Sequence, residues 1–103
     1  MRNIKLMADY ECFAIWDEDT VDNLNPDDLP ISDNLKLKIH QWEETFDATL
    51  NRSDPANSGF SGRDDLRQFD EEGLKLWQQL RQELGDEYLV RYFSHLNRKV
   101  FDS

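Results

Sequence analysis

The chain has 103 residues, enough for one domain with a modest core, and its formal net charge of -10 is strongly acidic. That charge argues against binding nucleic acid or anionic membranes, both of which need clustered Lys and Arg. Three Trp, three Tyr and six Phe argue against disorder, since each ring can bury a large apolar area.

The charge is uneven along the chain. Residues 6–33 carry nine acids (Asp9, Glu11, Asp17, Glu18, Asp19, Asp22, Asp27, Asp28 and Asp33) and no Lys or Arg. The other 75 residues hold 13 acids against all 12 bases, so they are nearly balanced. A field concentrated in this way attracts a cation: a metal ion, a basic substrate or a basic protein surface. The single cysteine, Cys12, makes no internal disulfide and has no metal-spaced Cys or His companion. No window approaches the ~18 apolar residues of a membrane span, and the first residues lack a signal-peptide core. A soluble, cytoplasmic protein is expected.

In chain order, residues 4–8 (Ile-Lys-Leu-Met-Ala) alternate loosely and predict a short strand, resuming through residues 12–16. Residues 17–30 are rich in Asp, Asn and Pro, which favour turns, and predict a long, exposed, ordered loop. Ser32 is a good N-cap, after which Leu35, Ile39, Trp42, Phe46 and Leu50 recur on one helical face, giving a helix over residues 33–50. Residues 51–62 are a loop by their Gly, Pro, Asn and Ser content. Ser61 or Gly62 can cap a second helix over residues 64–84, with Leu66, Phe69, Gly73, Leu76, Trp77, Leu80 and Leu84 on its apolar side. Gly85 sits where a C-capping glycine belongs, and Gly73 on the apolar face suggests close packing. Residues 88–93 read as a strand, and residues 96–101 as a further short strand or packed tail. The order β-loop-α-α-β predicts an α+β fold: N- and C-terminal strands in one small sheet, packed against two central helices.

The acidic loop fails the EF-hand template. Counted from Asp17, position 5 is Val21, position 6 is Asp22 where a glycine is required, and position 12 is Asp28 where a glutamate is required. Twenty-two acids make chance carboxylate pairs inevitable, so no hydrolase follows from them. His40 and His95 have no nucleophile or metal-spaced partner nearby in sequence, and Cys12 reads as a small buried hydrophobe. Trp42 and Trp77 belong to the core. Trp16 directly precedes the acid run and is either core or an exposed aromatic anchor, and Tyr10, Phe13 and Phe60 share that ambiguity. Arg91, Arg98 and Lys99 form the late basic cluster that can neutralise part of the acidic loop.

Several stretches together resemble a known family: Met7-Ala8-Asp9-Tyr10, the aromatic-rich residues 12–16, Asn25-Pro26-Asp27-Asp28-Leu29-Pro30-Ile31-Ser32, Ala48-Thr49-Leu50-Asn51, Asp54-Pro55-Ala56-Asn57-Ser58-Gly59-Phe60 and Glu83-Leu84-Gly85. The pattern is similar to small acidic bacterial immunity proteins of contact-dependent growth inhibition, within the polymorphic toxin systems. The resemblance spans most of residues 1–103. It implies an immunity protein that binds a cognate toxin domain, a ribonuclease by expectation, with carboxylates standing in for phosphates in its basic cleft. It implies no catalytic residues and no cofactor. The residues expected to meet the partner are Asp17, Glu18, Asp19, Asp22, Asp27 and Asp28, with Trp16 as anchor. The alternatives are an acidic adaptor for a basic host protein and a calcium-binding module.

Overall fold

The structure is a computed structural model that describes residues 1–51, 53 and 59–102. A five-stranded sheet carries strands β1 (Arg2–Leu6), β2 (Ile15–Asp17), β3 (Asn23–Leu24), β4 (Tyr88–Ser94) and β5 (Lys99–Phe101) in the order β3-β2-β1-β4-β5. Helices α1 (Asp33–Asp47) and α2 (Arg63–Leu84) connect its two halves. The expected α+β architecture is present: the N- and C-terminal strands share a sheet with two helices packed against it. β1 and β4 are direct neighbours and run parallel, from Arg2 opposite Tyr88 to Leu6 opposite Tyr92. The remaining pairings are antiparallel.

Period-2 alternation sorts the strand residues between two faces. Ile4, Leu6, Ile15, Val90 and Tyr92 are buried against the helices. Asn3, Lys5, Trp16, Arg91 and Phe93 occupy the other face and are half-buried. From the helices, Leu35, Ile39, Trp42, Phe46, Phe69, Leu76, Trp77 and Leu80 complete the core. Trp42 stacks on Phe69 at 4.4 Å between centroids, and its indole N–H donates to the Phe69 carbonyl at 3.0 Å. Trp77 donates to the Val90 carbonyl at 2.8 Å, tying α2 to β4. Both tryptophans therefore sit in the core, as expected, with their polar atoms satisfied.

Gly73 explains how closely α2 approaches the sheet. A Cβ there would run into the Tyr92 hydroxyl and would lie 2.7 Å from Trp42 Cζ2 and 2.9 Å from Tyr92 Cε1. The predicted close packing is thus a steric requirement. Gly85 caps α2 at φ 71°, a conformation that favours glycine. Ser32 caps α1 by accepting from the Leu35 amide, while Glu83 on α2 accepts from the Ser32 amide at 2.6 Å and its hydroxyl at 2.9 Å.

Several boundaries differ from the sequence reading. β1 starts at Arg2 and ends at Leu6, because pairing with β4 recruits two polar residues whose pattern carries no strand signal. β2 is confined to Ile15–Asp17, because Glu11 adopts φ 59° and the Cys12 amide turns back onto the Asp9 carbonyl. The expected exposed loop over residues 17–30 is only partly a loop. Asp17 closes β2, Asn23 and Leu24 form an edge strand, and Pro26–Asp28 form a 3-10 turn capped by Asn25. Helix α1 stops at Asp47 instead of residue 50, where Thr49 and Leu50 bond three residues back, to Phe46 and Asp47. Of the loop expected over residues 51–62, residues 52 and 54–58 lie outside the described residues. So does most of the stretch 54–60 that contributed to the family resemblance.

Candidate partner-binding surface

The acidic run wraps the β2–β3 edge of the sheet and divides into three groups. The first precedes β2: Asp9 and Glu11 are exposed on the turn, near the C-terminal end of α1. That end carries Glu44 and Asp47 and no basic residue in its last turn. Acids at a helix C-terminus oppose the macrodipole; Asp47 instead accepts from the Glu11 amide at 2.9 Å, fastening the turn to the helix. Cys12 lies within this group, half-buried instead of in the core as expected. Burial first, then the carboxylates of Asp9, Asp47 and Glu11, push its thiol up, which makes it a poor nucleophile. Phe13 is an exposed aromatic at 37%.

The second group follows β2. Asp17 was expected in the exposed contact set, but only 7% of it is accessible. Its carboxylate accepts from the Thr20 amide at 3.1 Å, the Asp19 amide at 2.9 Å and the Arg2 guanidinium at 3.3 Å. The Thr20 amide first, then the Asp19 amide and Arg2, hold the Asp17 carboxyl below the usual range, against the opposing effect of burial. Asp17 therefore builds the turn that displays its neighbours. Among those, Asp19 and Asp22 are exposed, and Glu18 is half-buried and reaches Arg91 at 3.2 Å. Arg91 also holds Asp102 at 2.7 Å. Arg91 thus neutralises part of the run, as expected, but among the described residues Arg98 and Lys99 make no ion pair with it. Arg2, which the sequence reading did not single out, makes a further internal pair, with Asp17.

Trp16 lies between the two groups on the helix-free face of the sheet, with its indole N–H donated to the Met7 carbonyl at 3.0 Å. It is neither in the core nor fully exposed, and it stands opposite Lys5 on β1. Tyr10 packs on Phe46 at 4.5 Å, and Phe60 packs on Phe69 at 5.0 Å, so both belong to the margin of the core.

The third group is the 3-10 turn, where Asp27 and Asp28 are exposed. It is held to α1 by a contact that the sequence reading missed. His40 Nε2 lies 2.9 Å from Asp27 Oδ1, and its Nδ1 lies 2.8 Å from Glu43 Oε1. The other oxygen of Glu43 accepts from the Ala14 amide at 2.7 Å. The spacing of His40 and Glu43 on one helix was a readable signal; the approach of Asp27 was not.

The calcium reading receives no support from this geometry, because Asp17 is already committed to backbone amides and Arg2. Among the described residues no three of His, Cys, Asp and Glu converge to hold a metal ion. No helix among them is long and apolar enough to cross a membrane.

Fold and surface together define a small acidic α+β protein whose carboxylates are carried outward on turns braced by buried hydrogen bonds. The family described as Serratia CdiI immunity protein-like matches residues 2–95, and the chain belongs to it. It is accordingly an immunity protein of contact-dependent growth inhibition, a role that consists of neutralising a toxin. No curated protein matches the chain.

Proposed function

We propose that the chain neutralises its cognate toxin domain in the cytoplasm by covering a basic cleft of that domain with the acidic edge of its sheet. The toxin is a ribonuclease in this reading, and the cleft is the one that holds substrate phosphates. The contact set is Glu18, Asp19, Asp22, Asp27 and Asp28, with Trp16 as the aromatic anchor and Asp17 as the brace beneath them.

The observation that carries the reading is the display of exposed charge. Asp19, Asp22, Asp27 and Asp28 are all exposed on short turns, residues 6–33 contain no Lys or Arg to shield them, and among these four only Asp27 meets a basic side chain, His40, among the described residues. Such a surface speeds encounter with a basic partner and rejects an acidic one. Binding, not catalysis, is the activity this arrangement supports. The test replaces Asp19, Asp22 and Asp28 by Asn and measures association with the cognate toxin domain at low and high salt. A slower on-rate and a flatter salt dependence are expected. Unchanged kinetics would refute the acidic-edge mechanism while leaving toxin neutralisation itself intact.

A further inference from the structure

His40 is held on both ring nitrogens by carboxylates from different parts of the chain. Nε2 faces Asp27 on the 3-10 turn at 2.9 Å, and Nδ1 faces Glu43 on α1 at 2.8 Å. Through its second oxygen Glu43 grips the Ala14 amide at the entrance to β2. The Phe13 ring meets the imidazole edge-on at 6.2 Å. A single side chain thus joins the 3-10 turn, the helix and the segment that presents Phe13. A neutral imidazole has one N–H and can donate to one carboxylate; only the imidazolium donates to both. We infer that His40 is a positioning residue whose charged form latches the acidic turn Pro26–Asp28 to helix α1, and that losing its proton frees the turn and weakens the grip on the toxin. This rests on the toxin-binding reading above.

The surroundings favour the charged form. Burial alone would lower the histidine, but the hydrogen bonds and charges of Asp27 and Glu43 outweigh it, and the net direction is up from 6.5. Glu43 itself is raised, first by its burial, in spite of the Ala14 amide and His40, and Asp47 adds to the rise. Around the same groove stand Glu11 and Cys12 from the turn before β2, the thiol pushed up by burial and the nearby carboxylates, and Glu44 and Asp47 from α1, while Lys36 lies one turn earlier on α1 beside Asp33. The negative charges thus outnumber the one base, and they act in the same direction as the two direct partners.

The latch is testable in the free chain by NMR titration of the His40 ring and the amides of Asp27, Asp28 and Ala14. In the native protein the three amides are expected to shift with the midpoint of the ring, and Asp27→Asn to lower that midpoint. His40→Gln, confirmed as folded by the rest of its spectrum, should abolish the transition at all three amides. Amides that titrate equally in His40→Gln, or a ring midpoint indifferent to Asp27→Asn, would overturn the latch. The second arm measures affinity for the cognate toxin domain at pH 6.5 and pH 9. Weakening of about threefold to tenfold at the higher pH, absent in His40→Gln, is expected for the net worth of one solvent-exposed hydrogen bond. Tighter native binding at pH 9 would show that the added negative charge matters more than the order of the turn, and would overturn the positioning role. Failure of the latch shows in the free chain, whereas failure of the toxin-binding reading shows as affinity indifferent to neutralising the exposed acids.

Discussion

Gly73→Ala isolates the packing that holds α2 against the sheet. In an unconstrained helix the added methyl would stabilise by up to about 1 kcal/mol. Here the new carbon would overlap the Tyr92 hydroxyl and stand 2.7 Å from Trp42 Cζ2 and 2.9 Å from Tyr92 Cε1. Neither ring can yield cheaply. Trp42 is 2% exposed and stacked on Phe69, and Tyr92 is 1% exposed with its hydroxyl donated to Asp70 Oδ1 at 2.7 Å. Overpacking of this kind costs about 1–3 kcal/mol, and displacing Tyr92 adds about 1–3 kcal/mol for buried polar groups that lose partners. After subtracting the gain in helix propensity, the net loss is about 1–5 kcal/mol, or at least ~4 °C in melting temperature for a domain of this size. Urea unfolding followed by tryptophan fluorescence measures it. A variant as stable as the native protein, with an unchanged denaturant slope, would refute the packing argument.

Three further outcomes follow from other parts of the structure. Asp70, 3% exposed, accepts from the Tyr92 and Ser94 hydroxyls at 2.7 and 2.8 Å, so Asp70→Ala removes the acceptor of Ser94 and leaves Tyr92 only the long bond to the residue 70 carbonyl at 3.4 Å; it is expected to cost about 2–4 kcal/mol in chemical denaturation, and a loss below about 1 kcal/mol would contradict it. Val21 is 75% exposed and held at φ 64°, where a β-branched residue is strained, so Val21→Gly should raise stability by about 0.5–1 kcal/mol in the same assay, and destabilisation would show that the turn needs the side chain. The third concerns pH. His40 and Glu43 are both raised on folding, so the native state binds more protons than the unfolded state above their ordinary values. Stability is then expected to fall as pH rises from 6.5 through the folded midpoint of His40, and the slope from His40 should vanish in His40→Gln. A melting temperature that climbs through that window would have the wrong sign.

Much of the architecture was legible because periodicity reports burial. Leu35, Ile39, Trp42 and Phe46 recur every three or four residues, and so do Phe69, Gly73, Leu76, Trp77 and Leu80; both sets became helix faces on the sheet. β3 was not legible, because two residues, Asn23 and Leu24, are too short for any alternation to show. The start of β1 was hidden in a similar way, since Arg2 and Asn3 are polar and lie outside the core and owe their strand conformation to pairing with Tyr88 and Leu89.

The candidate surface was legible as composition but not as roles. Asp17 and Asp19 look alike in an acidic run, yet one is a buried brace and the other an exposed charge. The difference comes from the Asp19 and Thr20 amides folding back on Asp17, which is a turn property with only a weak sequence signature. A better signal was available for Asp70, an acid beside Phe69 on the apolar side of α2, where an unpaired carboxylate would be costly and a buried partner had to exist. His40 shows the limit of local spacing: Glu43 three residues on was visible, while Asp27, thirteen residues earlier, came within reach only through the 3-10 turn.

The central claim is that exposed carboxylates on the β2–β3 edge carry the contact with the toxin. Its most direct measurement is the association rate with the cognate toxin domain over a range of ionic strength, for the native chain and for the chain with Asp19, Asp22, Asp27 and Asp28 replaced by Asn. The native rate is predicted to fall steeply with salt, and the neutralised chain to associate slowly with little salt dependence. Equal rates and equal salt slopes for the two chains would contradict the account.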